Sequence, residues 1–400
     1  MKILEINSVC GIRSTGRICT DIMQVAEENG MECRVAYGRE YVPEQYADRA
    51  VRVSGRADVF CHAAAARLFD TAGFCSSAST KKFLRWVDEY SPDIVHLHNL
   101  HGYYINIREL FVYLKERGIP VVITLHDCWM FTGHCAHFDY VGCERWKNEG
   151  CYACPQRGEY PRSLYYDGSR RNFRIKRELF TSLDNAVVIT PSEWLASLAK
   201  SSFLGKYPVK VINNGIDLEV FREVKGDLRS RYGLEGKRIA LGVASAWNKR
   251  KGFDDFLRLS EMLPSEWQIV LIGLTDKHMK MLPENVLGIS STNNATELAE
   301  WYSTADVFLN LTYEDTFPTV NLEAMACGTP VITYRTGGSP ESITEETGAV
   351  TCERSPEAVV KIIDSVKKDS IACRKNAEKY DKWQQFGKYI DEYRLIKENN

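Results

Sequence analysis

Residues Ala305–Thr333 read ADVFLNLTYEDTFPTVNLEAMACGTPVIT, and the fold turns on how this stretch is parsed. Val307–Leu311 is an apolar run of strand length. An acidic loop follows, and Pro318 then stands where a helix can open, since the amide that proline lacks would be unpaired in a first turn anyway. Val320–Ala326 continues as the helix, Gly328 stops it, and Pro330–Thr333 is a second apolar strand. Strand, helix and strand, with both strands apolar throughout, make one βαβ unit of a parallel sheet covered on both faces.

The same unit recurs outward along the chain. Val209–Ile212, Ile239–Ala244 and Gln268–Ile272 read as strands of this series, with helices near Phe253–Met262 and Ala295–Tyr302. An earlier series has strands at Met1–Ile6, Cys33–Tyr37, Ile94–His98, Val121–Leu125 and Ala186–Ile189. Its helices include one from about Arg17 to Asn29, and one capped by Ser79 with Phe83, Leu84, Val87 and Tyr90 on its apolar face. Four hundred residues suit two domains of roughly 100–200 residues each. The expected fold is α/β, two Rossmann-like doubly wound parallel-sheet domains whose ligands sit beyond the carboxyl ends of the strands. The expected divisions are 1–205, with a Cys-rich insertion at 128–160, then 206–377, and a helix over 378–400 closing back toward the first domain.

A hydrophobic content of 44% and a charged content of 26% belong to a globular enzyme and exclude a disordered or fibrous chain. The formal net charge of −2 argues against a nucleic-acid partner, which calls for a clearly basic domain. No stretch approaches the roughly 18–20 apolar residues that span a bilayer, and the opening run is too short for a signal peptide. The expected location is the cytoplasm, where thirteen cysteines can remain reduced.

Several residues carry candidate chemistry by their own placement. The free amides of Thr319, Val320 and Asn321 make a helix N-terminus that favours phosphate or hydroxyl oxygens. Asp315 lies in the loop before it and Glu323 about one turn in; solvated acids near a helix start are the alternative reading. Asn248–Lys251 is a basic turn, either solvated or a phosphate clamp. Gly11–Arg17 (GIRSTGR) follows the first strand, where glycines let amides approach a phosphate. Thr124–Asp127 ends a strand in a half that holds seven of the eight histidines.

Glu323 in Leu-Glu-Ala-Met-Ala-Cys-Gly-Thr-Pro-Val, with Asp315 before it, closely resembles the acidic signature of retaining glycosyltransferases of family 4, although most members carry Glu where Asp315 stands. Asn213–Asp217, the loop Gly242–Gly252 and the turn Gly337–Glu341 follow in the family's order. The resemblance implies a GT-B fold, two Rossmann-like domains with a nucleotide-sugar donor in the cleft between them, and a reaction without a catalytic metal. It implies that Glu323 binds the ribose, that Asp315 with the backbone amides of the loop running from Phe317 through Pro318 to Thr319 holds the donor sugar, and that Lys251 neutralises the diphosphate. Many members place an Arg where Ala246 stands, and Lys249 or Arg250 is the expected second cation. Gly16 belongs to the loop expected at the donor phosphate. His126 matches the family's strand-end histidine that contacts the donor sugar and lines the acceptor side, supported by His98, His101 and Asp127.

The implied activity is retaining transfer from a UDP- or GDP-sugar to a saccharide or lipid-linked oligosaccharide in surface polysaccharide biosynthesis, most like the colanic-acid-type branch. The alternatives are a non-hydrolysing sugar-nucleotide epimerase and an inactive nucleotide-sugar-binding partner subunit. Two features stand outside this chemistry. Cys135, Cys143, Cys151 and Cys154 are a candidate structural zinc set, with separate buried cysteines as the alternative. The arginines of Arg157–Arg177 form either a solvated face or a contact with anionic lipid at the inner face of the membrane.

Overall fold

The computed structural model describes residues 1–147 and 150–398, so Asn148 and Glu149 of the insertion, and Asn399 and Asn400 of the tail, lie outside the described residues. The first unit, Met1–Asn213 with Gln385–Asn400, is built on seven strands. They are β1 (Lys2–Asn7), β2 (Glu32–Tyr37), β3 (Ala50–Arg52), β4 (Ile94–Leu97), β5 (Val121–Thr124), β6 (Ala186–Thr190) and β7 (Val209–Val211). All pair in parallel, in the order β3-β2-β1-β4-β5-β6-β7. The second unit, Asn214–Gln384, holds β8 (Arg238–Val243), β9 (Trp267–Ile272), β10 (Val286–Ile289), β11 (Val307–Asn310), β12 (Val331–Tyr334) and β13 (Gly348–Thr351). These are also parallel, ordered β10-β9-β8-β11-β12-β13.

Central strands are buried on both faces because successive side chains leave the sheet in opposite directions. In the first sheet Leu4, Ile6, Val95, Leu97, Val121 and Ile123 pack on one side. Ile3, Val35, Ile94, Val122 and Ile189 pack on the other, against Phe386, Tyr389, Ile390 and Tyr393 of the helix Lys382–Glu398. Strand order reverses between β1 and β4 in one unit and between β8 and β11 in the other. Such switch points open a crevice beyond the carboxyl ends of the strands. The loops after β1, β4 and β5, and after β8 and β11, therefore carry the candidate residues.

Three expectations need correction. Val209–Val211 does not open the second sheet; it pairs with β6 and closes the first, so the division falls at Asn213/Asn214 and not at 205/206. A three-residue, half-buried run shows that it is a strand but not which sheet it joins. The first helix starts at Arg13, not near Arg17, so Gly16 lies inside its first turns. There its carbonyl accepts from Gly11 N–H at 3.0 Å and a Cβ would press on Val9, so Gly16 packs the turn against the loop and offers no loop amide.

Candidate functional site

In the second unit, two segments far apart in sequence are drawn together by backbone contacts. Gly252 adopts φ 73°, and a Cβ there would stand 2.2 Å from the Leu311 carbonyl oxygen, so only glycine lets the basic turn sit this close to the end of β11. Tyr313 N–H donates to the Arg250 carbonyl at 2.8 Å, and Asn248 accepts from Lys251 N–H at 3.1 Å. Lys251 Nζ consequently reaches Asp315 Oδ2 at 2.6 Å, with the two side chains 25% and 17% exposed. The acid and the cation that the sequence singled out separately form one ion pair.

The helix Thr319–Ala326 begins directly after this loop, with no side-chain cap from Pro318. Asn321 N–H donates to the Pro318 carbonyl at 3.2 Å, which corrects its expected place among the free amides; Thr319 and Val320 remain the amides that could meet an anionic or hydroxylic ligand. Glu323 is buried and its Oε2 accepts from Tyr302 O–H at 3.0 Å, which fixes the carboxylate one turn into the helix. Asn310 Nδ2 donates to Asn321 Oδ1 at 2.8 Å, and Asn321 Nδ2 donates to Ser339 Oγ at 3.1 Å, locking the Gly337–Glu341 turn to the helix. Gly338 N–H donates to the Asp315 carbonyl at 3.3 Å, and Asn214 Nδ2 to the Phe317 carbonyl at 2.9 Å. Asp315, Phe317, Pro318, Thr319, Glu323, Arg250 and Lys251 are all held within this one loop system.

In the first unit, histidines line up behind the ends of β4 and β5. His126 is half-buried, and its Nε2 shares a hydrogen bond with His98 Nδ1 at 2.9 Å. Burial holds the His126 imidazole down to about 4, so it is neutral at ordinary pH. Beside it, His101 Nε2 meets Asp127 Oδ2 at 2.7 Å while His101 Nδ1 meets Tyr160 Oη at 3.1 Å. Burial opposes charge on Asp127, but the His101 imidazole, its hydrogen bond and the Trp129 amide together hold the carboxyl well below the usual range. His98 is fully enclosed, which corrects its expected place on the acceptor side: it supports His126 from behind.

Sequence reasoning missed Glu5, His96, Tyr160 and the two tyrosines of the closing helix. Tyr393 Oη and Thr124 Oγ1 occupy the two nitrogens of His96, each at 2.7 Å. The signal for Glu5 was present: an acid inside the otherwise apolar run of β1. Glu5, His96 and His98 offer donor atoms within 4.8 Å of one another, the grouping of this kind found among the described residues. The trio fits a metal poorly, since ligation would strip His96 of one of its two hydroxyl partners.

The cysteine insertion holds together by means the sequence did not suggest. Phe131, Phe138 and Trp146 pack edge-on or tilted with centroids 5.1–6.3 Å apart, giving it an apolar core. Lys176 is wholly buried, its Nζ donating to the Trp129 and Thr132 carbonyls at 2.8 and 3.2 Å above the Trp129 ring. It is therefore no part of a basic surface strip. Cys135 and Cys154 share a hydrogen bond, and Cys151 Sγ accepts from Gly133 N–H at 3.1 Å. Among the described residues no three of these sulfurs come within 4.8 Å of one another, so Cys135, Cys143, Cys151 and Cys154 do not form a tetrahedral set in this arrangement.

The model of Glycosyltransferase Family 4 matches residues 15–220, just over half of the chain, and that of Glycosyl transferases group 1 matches 224–388. A protein of Escherichia coli (strain K12) named for colanic acid biosynthesis is 25% identical over 376 residues, covering 90% of each chain. A lipopolysaccharide core biosynthesis mannosyltransferase of Rhizobium leguminosarum bv. viciae is 30% identical over 46% of this chain and 59% of its own. Among solved structures, sucrose-phosphate synthase from Thermosynechococcus elongatus aligns at TM-score 0.70 and 17% identity, covering 100% of both chains. The Anabaena protein HepE, solved with UDP and glucose, aligns at 0.67 and 14%, covering 98% of both. At these identities the structural likeness concerns the fold, which is GT-B.

Proposed function

Since the chain belongs to glycosyltransferase family 4, and is on that ground a sugar-transferring enzyme, we propose that it takes a UDP- or GDP-sugar as donor and transfers the sugar with retention of configuration. The Lys251–Asp315 pair at 2.6 Å beside an open helix N-terminus is the observation that carries this reading. Lys251 and the amides of Thr319 and Val320 receive the departing diphosphate, an electrostatic task suited to a preorganised site. Asp315 holds Lys251 in place before the donor arrives and then turns to a sugar hydroxyl. Glu323, already fixed by Tyr302, takes the ribose hydroxyls. His126 serves the reacting sugar as a neutral hydrogen-bonding group.

The acceptor is a saccharide or a lipid-linked saccharide in surface polysaccharide biosynthesis, a reading supported by the names of the relatives. The first unit also offers a surface suited to anionic lipid. Phe60 and Phe69 on the helix Arg56–Phe69 are 74% and 58% exposed, and Tyr165 is 76% exposed. The two segments meet where Leu164 N–H donates to the Arg67 carbonyl at 2.7 Å, and Arg162, Arg170 and Arg174, near Leu164 in the chain, are exposed. Aromatic rings with arginines suit a headgroup layer. Among the described residues no helix is long and apolar enough to cross a membrane; the contact proposed is peripheral, at the cytoplasmic face.

A panel of sugar nucleotides tests the donor assignment. One UDP- or GDP-sugar should raise the thermal midpoint of the native protein and be slowly hydrolysed by it. A panel that neither stabilises the protein nor is turned over refutes the assignment.

A further inference from the structure

Behind His126 lies a buried line of side chains that the transfer reaction does not explain by itself. Glu5 sits in the middle of β1 with no exposed surface, an expensive position for a carboxyl in a parallel sheet. Its Oε1 receives a weak hydrogen bond from Cys33 Sγ at 3.5 Å. Its Oε2 has no hydrogen-bond partner, and neither has His98 Nε2. Those two orphan atoms lie 3.2 Å apart. His98 Nδ1 in turn meets His126 Nε2 at 2.9 Å.

We propose that Glu5 is a positioning residue that acts through His98 to fix the tautomer and ring orientation of His126. The inference rests on the reading of His126 as a group that meets the reacting sugar.

The logic follows from counting protons along the line. A neutral imidazole has one N–H and one bare nitrogen, so each link dictates the next. Burial pushes the Glu5 carboxyl well above the usual range, so it keeps its proton. Burial likewise holds the His98 imidazole well below its ordinary range, so it carries a single proton. Glu5 Oε2 then donates to His98 Nε2, which places the His98 proton on Nδ1. That N–H donates to His126 Nε2, which leaves the His126 proton on Nδ1. The His126 N–H is then on the nitrogen turned away from His98, so that end of the ring acts as a donor. A β1 without Glu5 leaves His98 free to carry its proton on either nitrogen, and His126 then alternates between donor and acceptor. The tilted His96 ring, 4.0 Å from His98 between centroids and held at both nitrogens, keeps the line from rotating.

The test compares wild type, Glu5→Gln and Glu5→Met in the full-length protein. The first readout is the protonation site of His126 from long-range proton–nitrogen spectra of histidine-labelled protein at neutral pH. The wild type should show a single Nδ1–H tautomer. Glu5→Gln should keep it, because an amide N–H can donate to His98 Nε2, and Glu5→Met should show a mixture. The second readout is transfer: kcat should fall roughly 10–100-fold in Glu5→Met with KM for the donor little changed, the usual cost of losing the group behind a working histidine, and Glu5→Gln should recover most of it. An Nε2–H or charged His126 in the wild type overturns the proposal, as does a single Nδ1–H tautomer in Glu5→Met. If Glu5→Met does not fold, the wild-type spectrum and the Glu5→Gln rates still decide. Should the tautomers behave as described while His126→Ala transfers sugar normally, the relay stands and the role given to His126 falls.

Discussion

Replacing Lys251 with alanine separates catalysis from folding. The pair it forms with Asp315 is 2.6 Å long and its side chains are 25% and 17% exposed, between the surface and buried extremes. Surface pairs contribute up to about 1 kcal/mol, whereas removing one partner of a buried pair costs about 3–5 kcal/mol. The expected loss of stability is therefore about 1–2 kcal/mol. A protein starting from roughly 5–15 kcal/mol stays folded to about 99% or better after such a loss. The expected loss of turnover is far larger. One preorganised charge on a developing anion contributes roughly 10²–10³ in rate, or about 2.7–4 kcal/mol. Donor turnover and urea unfolding, measured on the same preparation, read the two quantities. The variant Lys251→Ala/Asp315→Asn adds a control, since removing both partners should restore stability without restoring rate. Near-normal turnover in Lys251→Ala would refute the reasoning and move the phosphate role to Lys249 or Arg250. So would a rate loss that tracks the unfolded fraction.

Four further outcomes are expected. Glu323→Gln should weaken nucleotide binding roughly 10-fold with a smaller effect on kcat, and Asp315→Ala should do the reverse, because ribose contacts persist from ground to transition state; calorimetry and initial rates measure both. Stability should rise as pH increases from about 4.5 to 6.5, since burial holds His62 and His126 down to about 4 and His96 and His98 well below their ordinary range, so the unfolded chain binds more protons across that window. Glu5 and Asp255, whose carboxyls burial raises, and His134, raised by Asp70 against its burial, titrate with the opposite sign; a urea midpoint that is flat or falling over this interval contradicts the assignment. Brief alkylation at pH 7 should label Cys154, whose thiol is brought down to about 7 chiefly by its hydrogen bond with Cys135, ahead of Cys151, which burial pushes up to about 12; protection of all four cysteines that a chelator abolishes would instead establish zinc there. Vesicles containing anionic lipid should sediment the protein and zwitterionic ones should not, and Phe60→Ser/Tyr165→Ser should reduce binding; equal binding by that variant rejects the lipid surface.

What could be read from the sequence followed burial. Strands enclosed on both faces, such as β4 and β5, are apolar throughout and stand out. The edge strands β3, β10 and β13 are partly exposed, mix polar and small residues, and were passed over. In the donor-side loops, Lys251, Asp315 and Glu323 were each recognisable from their surroundings in the chain. Their meeting was not, because it depends on Gly252 lying against the Leu311 carbonyl, a contact between residues 59 apart. His98 was misplaced for a related reason: a histidine at a strand end looks the same whether it faces solvent or, as here, the carboxyl of the first strand. The aromatic packing inside the cysteine insertion was hidden by the cysteines, which drew attention to metal chemistry while Phe131, Phe138 and Trp146 provided the core.

The helix Lys382–Glu398 also has a bearing on how the protein is made. Phe386, Tyr389, Ile390 and Tyr393 complete one face of the first sheet, and Tyr393 donates or accepts at His96 deep inside that unit. The ribosome delivers these residues about 170 residues after the rest of the first unit has emerged. At roughly 5–20 residues per second that is a wait of about 9–34 s, during which Ile3, Val35, Ile94 and Val122 lack the part of their cover that this helix supplies. The nascent first unit is then a natural client for a chaperone, while the later-made second unit can close as soon as Gln384 clears the exit tunnel. Truncation before Phe386 would thus expose apolar residues of the first sheet, made at the start of the chain, and the damage would show as aggregation.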